Sequence, residues 1–211
     1  MQRELNKLFG QSFDLLILGG GITGAGVALD ASLRGLRVAL IDKGDFASGT
    51  SSVSSKLIHG GLRYLEHGQF RLVYEALSER RLLLRNAPHL VRPLRFILPF
   101  YRNSRLPLWK GMAGLLMYDL LAGRQNLAKS RRLTVKAVQT EVPSLRSNDL
   151  AGATEFYDAQ MDDARLCLEV VQTAWRCGAI VANYVAAVGF ERSNGSIEAV
   201  QVRDQISGAQ H

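Results

Sequence analysis

The run Gly19-Gly20-Gly21-Ile22-Thr23-Gly24 fits the pattern G-x-G-x-x-G. Each glycine in that pattern has a task. Gly19 allows a tight turn, Gly21 lets a pyrophosphate approach the backbone, and Gly24 lets a helix pack close to a strand. The helix that opens at Ile22 offers free N–H groups and the positive end of its dipole to phosphate oxygens. Asp42 follows 23 residues after Gly19, where a carboxylate can accept hydrogen bonds from a ribose. An acid there suits an unphosphorylated ribose, so FAD or NAD fits better than NADP.

A second stretch separates those two. From Asp45 to Ser55 the chain is rich in hydroxyls, with Ser48, Thr50, Ser51, Ser52, Ser54 and Ser55, and it runs directly into Lys56-Leu57-Ile58-His59-Gly60-Gly61-Leu62-Arg63-Tyr64. Hydroxyls beside a phosphate-binding helix can donate to a pyrophosphate and to a ribityl chain. Lys56 adds a positive charge suited to a diphosphate. Gly60-Gly61 permits backbone to lie flat against a planar ring. These features favour FAD over NAD; the competing reading is a solvated serine-rich linker.

The elements that must position these residues are legible. Phe13–Leu18 reads as a buried parallel strand, and Ile22–Arg34 as a helix closed by Gly35. Val38–Ile41 reads as a second strand, which completes a βαβ unit. Asp30 and Arg34 are spaced to pair on the helix surface. Phe70–Ala87 reads as a helix stopped by Pro88, and Arg95–Tyr101 as a strand with Pro99 at an edge. Residues 106–128 are apolar but interrupted. Asp162 or Asp163 can cap a helix reaching Cys177, with Gly178 past its end. Val181–Glu191 and Ile197–Arg203 flank Asn194-Gly195, a hairpin signal.

With 211 residues, 47% of them hydrophobic, the chain can bury a sizeable core. No apolar run is long enough to span a bilayer, and the first ten residues lack the apolar core of a secretory signal. Cys167 and Cys177 fall ten residues apart in one helix. At that spacing they lie about 15 Å apart, too far for a disulfide, and their spacing matches no metal site. The net charge of +7 is concentrated: residues 92–132 hold nine basic residues and one acid, Asp119. That segment reads either as a face for anionic lipid or as a solvated surface that draws anionic substrate inward. No nucleic-acid recognition motif accompanies it.

The stretch Thr50–Glu66, with Ser-Lys-Leu-Ile-His-Gly-Gly-Leu-Arg-Tyr-Leu-Glu at 55–66, resembles the flavin-binding signature of FAD-dependent glycerol-3-phosphate dehydrogenases. Phe70-Arg71-Leu72-Val73, Glu75-Ala76-Leu77, Met117-Tyr118-Asp119 and Asp162-Asp163-Ala164-Arg165-Leu166 continue the resemblance. The wider superfamily, which includes D-amino-acid and sarcosine oxidases, shares only the looser Ser-Ser…His-Gly-Gly pattern. The resemblance implies an α/β fold: a Rossmann-type FAD-binding domain of the D-amino-acid oxidase/glycerol-3-phosphate dehydrogenase superfamily, joined to the start of a substrate or cap domain. The expected layout is 1–91 for the βαβ unit and flavin loop, 92–150 for the basic cap segment, and 151–211 for a return to the FAD domain.

By the same resemblance, FAD contacts Gly19, Gly21, Ile22, Thr23, Gly24, Asp42, Lys43, Ser51, Ser52, Ser55, Lys56, Leu57, His59 and Gly60. Arg63 and Tyr64 reach the substrate side, Arg63 near the substrate phosphate. The implied reaction oxidises sn-glycerol 3-phosphate to dihydroxyacetone phosphate and passes electrons to a membrane quinone. It would be carried out by a cytoplasmic protein held peripherally on the inner face of the cell membrane. Members of the family continue past residue 211, so C-terminal truncation is expected, with the general base downstream and the chain alone inactive. Three alternatives stay open: a glycerophosphate oxidase using oxygen, an amine or amino-acid oxidase, and a non-catalytic FAD-binding module. The oligomeric state is open as well, a homodimer included.

Overall fold

The computed structural model describes residues 1 and 3–211. In chain order the helices are α1 (Leu5–Leu8), α2 (Ile22–Leu33), α3 (Phe70–Asn86), α4 (Leu108–Ala122), α5 (Val135–Glu141) and α6 (Asp163–Arg176). The strands are β1 (Leu15–Leu18), β2 (Val38–Ile41), β3 (Leu57–Ile58), β4 (Val91–Tyr101), β5 (Arg131–Leu133), β6 (Leu150–Met161), β7 (Ile180–Ala182), β8 (Val185–Ser193) and β9 (Ser196–Asp204). They form two compact units, Met1–Ser55 with Asp162–His211, and Lys56–Met161.

The first unit is built on a parallel sheet ordered β1-β2-β7. Leu15 pairs with Val38, and Ala39 with Ile180. All four residues of β2 are buried, as a central strand requires. One face packs Val38, Leu40 and Val181 against Ala25, Ala28 and Ala31 of α2 and Cys167, Val171 and Ala174 of α6. Alanines on the buried stripe of α2 allow the close approach. The opposite face sets Ala39, Ile41 and Ala182 against Leu8, Val185 and Val202. Asp162 caps α6 by accepting from the Arg165 N–H at 3.1 Å, and Gly178, at φ +99°, follows its end. The β8–β9 hairpin turns through Asn194 and Gly195, both at positive φ, as Asn-Gly predicts. The pairing of Asp30 with Arg34 is present at 2.8 Å.

The second unit is organised by β6. β4 runs antiparallel along one edge from Val91↔Met161 to Tyr101↔Leu150, and β3 and β5 share the other edge. Pro93 and Pro99 lie six residues apart, so their missing N–H groups fall on the same edge of β4, which an edge strand tolerates. Val73 and Leu77 of α3 pack with Tyr118 and Ala122 of α4. A separate cluster joins Val138 of α5 to Leu133, Leu150 and Ala153.

Several boundaries differ from the sequence reading. The units divide at 55/56 and 161/162, not at 91/92 and 150/151, because the long β4–β6 ladder binds both strands into one sheet. β4 starts at Val91 rather than Arg95. Residues 108–122 form a regular helix despite two glycines. The run Val181–Glu191 is broken between β7 and β8, where Tyr184 takes φ +54° and the chain leaves the parallel sheet for the hairpin.

Asp204 closes the end of β9. It accepts from Arg3, from the Ser207 hydroxyl at 2.5 Å and from the N–H groups of Ile206 and Ser207. These donors, Arg3 first, hold its carboxyl far below the usual range. A depressed folded-state pKa stabilises above the unfolded value of about 4 and loses that stability as the pH falls toward the folded value. Asp204→Asn should therefore lower Tm at pH 7, and the gap from wild type should close as the pH falls below about 4. Thermal melts across that range check this; a gap independent of pH would refute it.

Candidate functional site

In the first unit the glycine run makes the turn from β1 into α2. Gly19 sits at φ +116° and donates its N–H to the Ile41 carbonyl at 2.8 Å. A side chain on Gly24 would overlap the Gly19 carbonyl oxygen, so only glycine lets the helix begin this close to the strand. Asp42 holds the turn from the side: its Oδ2 accepts from Gly20 N–H at 2.6 Å and its Oδ1 from Gly44 N–H at 2.8 Å. Below the turn, the buried Cys167 thiol lies 3.6 Å from the Gly20 carbonyl, and burial raises its pKa. The Ser51 hydroxyl accepts from Ile22 N–H at 2.9 Å and stands at the mouth of α2.

This arrangement fits a dinucleotide diphosphate. The first N–H groups of any α-helix lack intrahelical acceptors, so those of Thr23 and Gly24 add to the electropositive end of α2. Each Asp42 oxygen carries one backbone bond and keeps a further lone pair for a ribose hydroxyl. Beside it a cavity of about 310 Å³ is lined by Leu18, Gly19, Asp42 and Lys43, together with Ala186 and Ala187 at the start of β8. It lies outside the carboxyl ends of β1 and β2, where open α/β sheets bind nucleotides. The β8 contribution carried no sequence signal.

The serine loop divides its labour. Ser52 turns its hydroxyl to the Gly49 carbonyl, and Ser48 to that of Asp45, so both brace the loop itself. Ser54 donates its hydroxyl to Asp163 at 2.6 Å and its N–H at 3.2 Å. Those bonds, the Ser54 hydroxyl foremost, hold the Asp163 carboxyl below its ordinary value. Asp163, legible in sequence only as an alternative helix cap, is thus the loop's anchor on α6. Ser55 is exposed and is the last residue of this stretch of the unit.

Lys56, Leu57, His59, Gly60, Arg63 and Tyr64 belong to the second unit. Lys56 takes φ +58°, and its carbonyl accepts from Met161 N–H at 2.9 Å. Leu57, His59, Arg63 and Tyr64 line a cavity of about 660 Å³, together with His67, Gln69, Phe96, Phe156 and Asp158. Phe96 and Phe156 are cross-strand partners whose rings stack at 5.1 Å. Charged and hydrogen-bonding groups face an apolar wall, an arrangement suited to a small polar anion. Gly60 is buried, and its N–H is shared between the Tyr118 hydroxyl at 3.0 Å and Asp158 Oδ1 at 3.1 Å. A Cβ there would overlap Tyr118 and Leu77, so packing inside this unit accounts for that glycine.

Sequence reasoning missed His67, Gln69, Phe96, Phe156 and Asp158. Two signals were available. Asp158 is an acid set among Phe156, Tyr157 and Ala159, and Arg80 falls seven residues after Val73 and three after Leu77, on the buried stripe of α3.

The chain is similar to several known proteins. A glycerol-3-phosphate dehydrogenase of Synechocystis sp. is 44% identical over 208 residues, covering 98% of this chain and 38% of that protein. The mitochondrial glycerol-3-phosphate dehydrogenase of Mus musculus is 45% identical over 204 residues, covering 93% of this chain and 27% of that protein. The glycerol-3-phosphate dehydrogenase from Bacillus halodurans, solved in complex with FAD, superposes with a TM-score of 0.74 at 31% identity, covering 99% of this chain and 34% of that one. The chain spans roughly a third of the length of these relatives. The family described as "DAO: FAD dependent oxidoreductase" matches residues 14–210. With this match over nearly its whole length, the chain belongs to the FAD dependent oxidoreductase family.

Proposed function

We propose that this chain serves the FAD-dependent oxidation of sn-glycerol 3-phosphate to dihydroxyacetone phosphate, with a membrane quinone as electron acceptor. The observation that carries the reading is the cavity in which His59 and Arg63 share a wall with Phe96 and Phe156. Relatives named glycerol-3-phosphate dehydrogenase, at 44% and 45% identity, support the choice of substrate.

In this reading Gly19, Gly21, Ile22, Thr23 and Gly24 hold the diphosphate, Asp42 the ribose, and Lys43 flanks the mouth of the adenosine-side cavity. Ser51, Ser52 and Ser55 of the first unit, and Lys56, Leu57, His59 and Gly60 of the second, are the remaining residues assigned to the cofactor. Bound FAD supplies the acceptor for the hydride that leaves C2 of the substrate. The Arg63 guanidinium forks onto the substrate phosphate, for which its planar geometry is suited. Tyr64 and the two phenylalanines exclude water, which strengthens that contact. Holding the phosphate fixes where C2 lies, and orientation of this kind is worth several kcal/mol of barrier.

Quinone reduction requires access to a membrane, and we place the protein peripherally on its inner, cytoplasmic face. No helix among the described residues is long and apolar enough to cross a membrane. Support for surface binding comes from α4, where Trp109, Leu116 and Leu120 form a stripe exposed at 67%, 57% and 79%. Arg132 lines a cavity with Trp109 and Leu116. Not all of the basic segment is available. Arg131 pairs with Glu155 at 2.9 Å, and Arg95 pairs with both Glu141 and Glu155.

Three outcomes test the proposal. The chain should bind FAD in preference to NAD or NADP; denaturing reconstituted protein should release a yellow chromophore, and a colourless supernatant with tight NAD binding would refute this. Arg63→Ala should raise the KM or dissociation constant for glycerol 3-phosphate by roughly tenfold to a hundredfold, the cost of a lost charged hydrogen bond, while FAD is retained. Flavin loss with unchanged substrate affinity would instead move Arg63 to the cofactor. Charge reversal at Arg124, Lys129 and Arg132 should weaken sedimentation with phosphatidylserine vesicles on the order of a hundredfold, since each basic residue is worth about 1 kcal/mol at such a surface. Unchanged sedimentation would make the segment an ordinary solvated surface.

A further inference from the structure

The cavity that holds His59 and Arg63 is backed by a buried polar cluster to which the proposed reaction assigns no task. Arg80 of α3 and Tyr118 of α4 are fully enclosed, and Asp158 of β6 nearly so. Asp158 Oδ1 gathers three donors: Arg80 Nη1 at 2.5 Å, the Tyr118 hydroxyl at 2.7 Å and Gly60 N–H at 3.1 Å. The Tyr118 oxygen also accepts from Gly60 N–H at 3.0 Å, and Arg80 Nη1 donates to the Tyr157 carbonyl at 3.0 Å. Tyr118 and Asp158, distant in sequence, therefore converge on one backbone N–H while Arg80 holds Asp158, and that N–H lies between His59 and the turn that carries Arg63.

Stability is a poor account of this cluster. A buried ion pair is often no more stabilising than well-packed apolar side chains of the same volume. Here the guanidinium also leaves Nε and Nη2 without partners among the described residues, so part of its desolvation is uncompensated. Val73 and Leu77 lead up to Arg80 on the same helix face, and an apolar residue would continue their stripe. No apolar residue could donate to Asp158 at the cavity wall it shares with His59 and Arg63. Burial, and then the charge of Asp158, push the Tyr118 hydroxyl far above its ordinary pKa, so it remains a donor to Asp158 across the working pH range. Gly60 is confined laterally too, because Tyr118 and Leu77 fill the space a side chain would need.

We infer that Arg80, Tyr118 and Asp158 are positioning residues. Through the Gly60 N–H they fix the backbone of His59-Gly60-Gly61, so that the His59 imidazole keeps one placement in the cavity where the Arg63 guanidinium meets an anionic substrate. Placement of this kind decides how well a site orients its ligand. The inference rests on the reading of that cavity as the substrate pocket.

The test compares the wild-type chain with Tyr118→Phe and Asp158→Asn, using amide hydrogen exchange, ¹H–¹⁵N spectra and glycerol 3-phosphate as the probe. Tyr118→Phe should speed exchange of the Gly60 amide at least roughly tenfold, as expected for a lost buried hydrogen bond, while the Val73 and Leu77 amides keep their protection. Both variants should displace the His59 ring resonances and weaken glycerol 3-phosphate binding several-fold. Equal loss of protection at Gly60, Val73 and Leu77 would mean that the cluster only stabilises the unit, and would overturn the inference; so would unchanged exchange at Gly60. If Asp158→Asn unfolds, Tyr118→Phe, which removes a single hydroxyl, decides alone. If wild type does not bind glycerol 3-phosphate, the substrate reading falls. The exchange pattern and the His59 shifts then still decide whether the cluster positions that backbone.

Discussion

The nucleotide-side unit depends on the abutment of the first turn of α2 on the Gly19 carbonyl, a gap into which no side chain at Gly24 would fit. It fixes where the helix begins relative to the end of β1, and so where its first N–H groups point. Asp42 then completes the geometry from β2 by bonding Gly20 and Gly44. The parallel register of β1 and β2 brings that carboxylate level with the turn. Removing the glycine would displace the helix end, the turn and the acid together, because each is located by the others.

The second unit solves a different problem. Its pocket is built from segments far apart in sequence, and the long β6 strand brings them into register. Phe96 meets Phe156 across the ladder, and Asp158, two residues further along the same strand, meets α3 and α4. Glu155 faces the other way and gathers Arg95 and Arg131. Alternation along one strand thus separates a cluster that backs the cavity from one that neutralises part of the basic segment.

The difference between what sequence revealed and what it hid follows from range. The βαβ unit, the hairpin at Asn194-Gly195 and the capping by Asp162 depend on neighbours within a few residues, and their chemistry is written locally. The boundary at Met161/Asp162 was missed because β6 is defined by pairing with β4, more than forty residues earlier at every position. The same holds for the site. Gly19 and Asp42 were legible from turn and strand, whereas Asp158 and Phe156 acquire meaning only once the sheet exists. Arg80 is an intermediate case: its place on an apolar stripe was visible, but its partner was not.

The order in which the chain is made has a consequence for the first unit. β2 pairs with β7, and Ala39 waits for Ile180, which leaves the ribosome roughly 140 residues later. At ordinary synthesis rates of about 5–20 residues per second, that interval is on the order of ten seconds. For most of it the alanine face of α2 has no α6 to cover it, while Lys56–Met161 is made in full and is free to fold before β7 emerges. The nucleotide-side unit is therefore begun first and completed last. For that interval its half-built core is a nascent apolar surface exposed to whatever binds emerging chains.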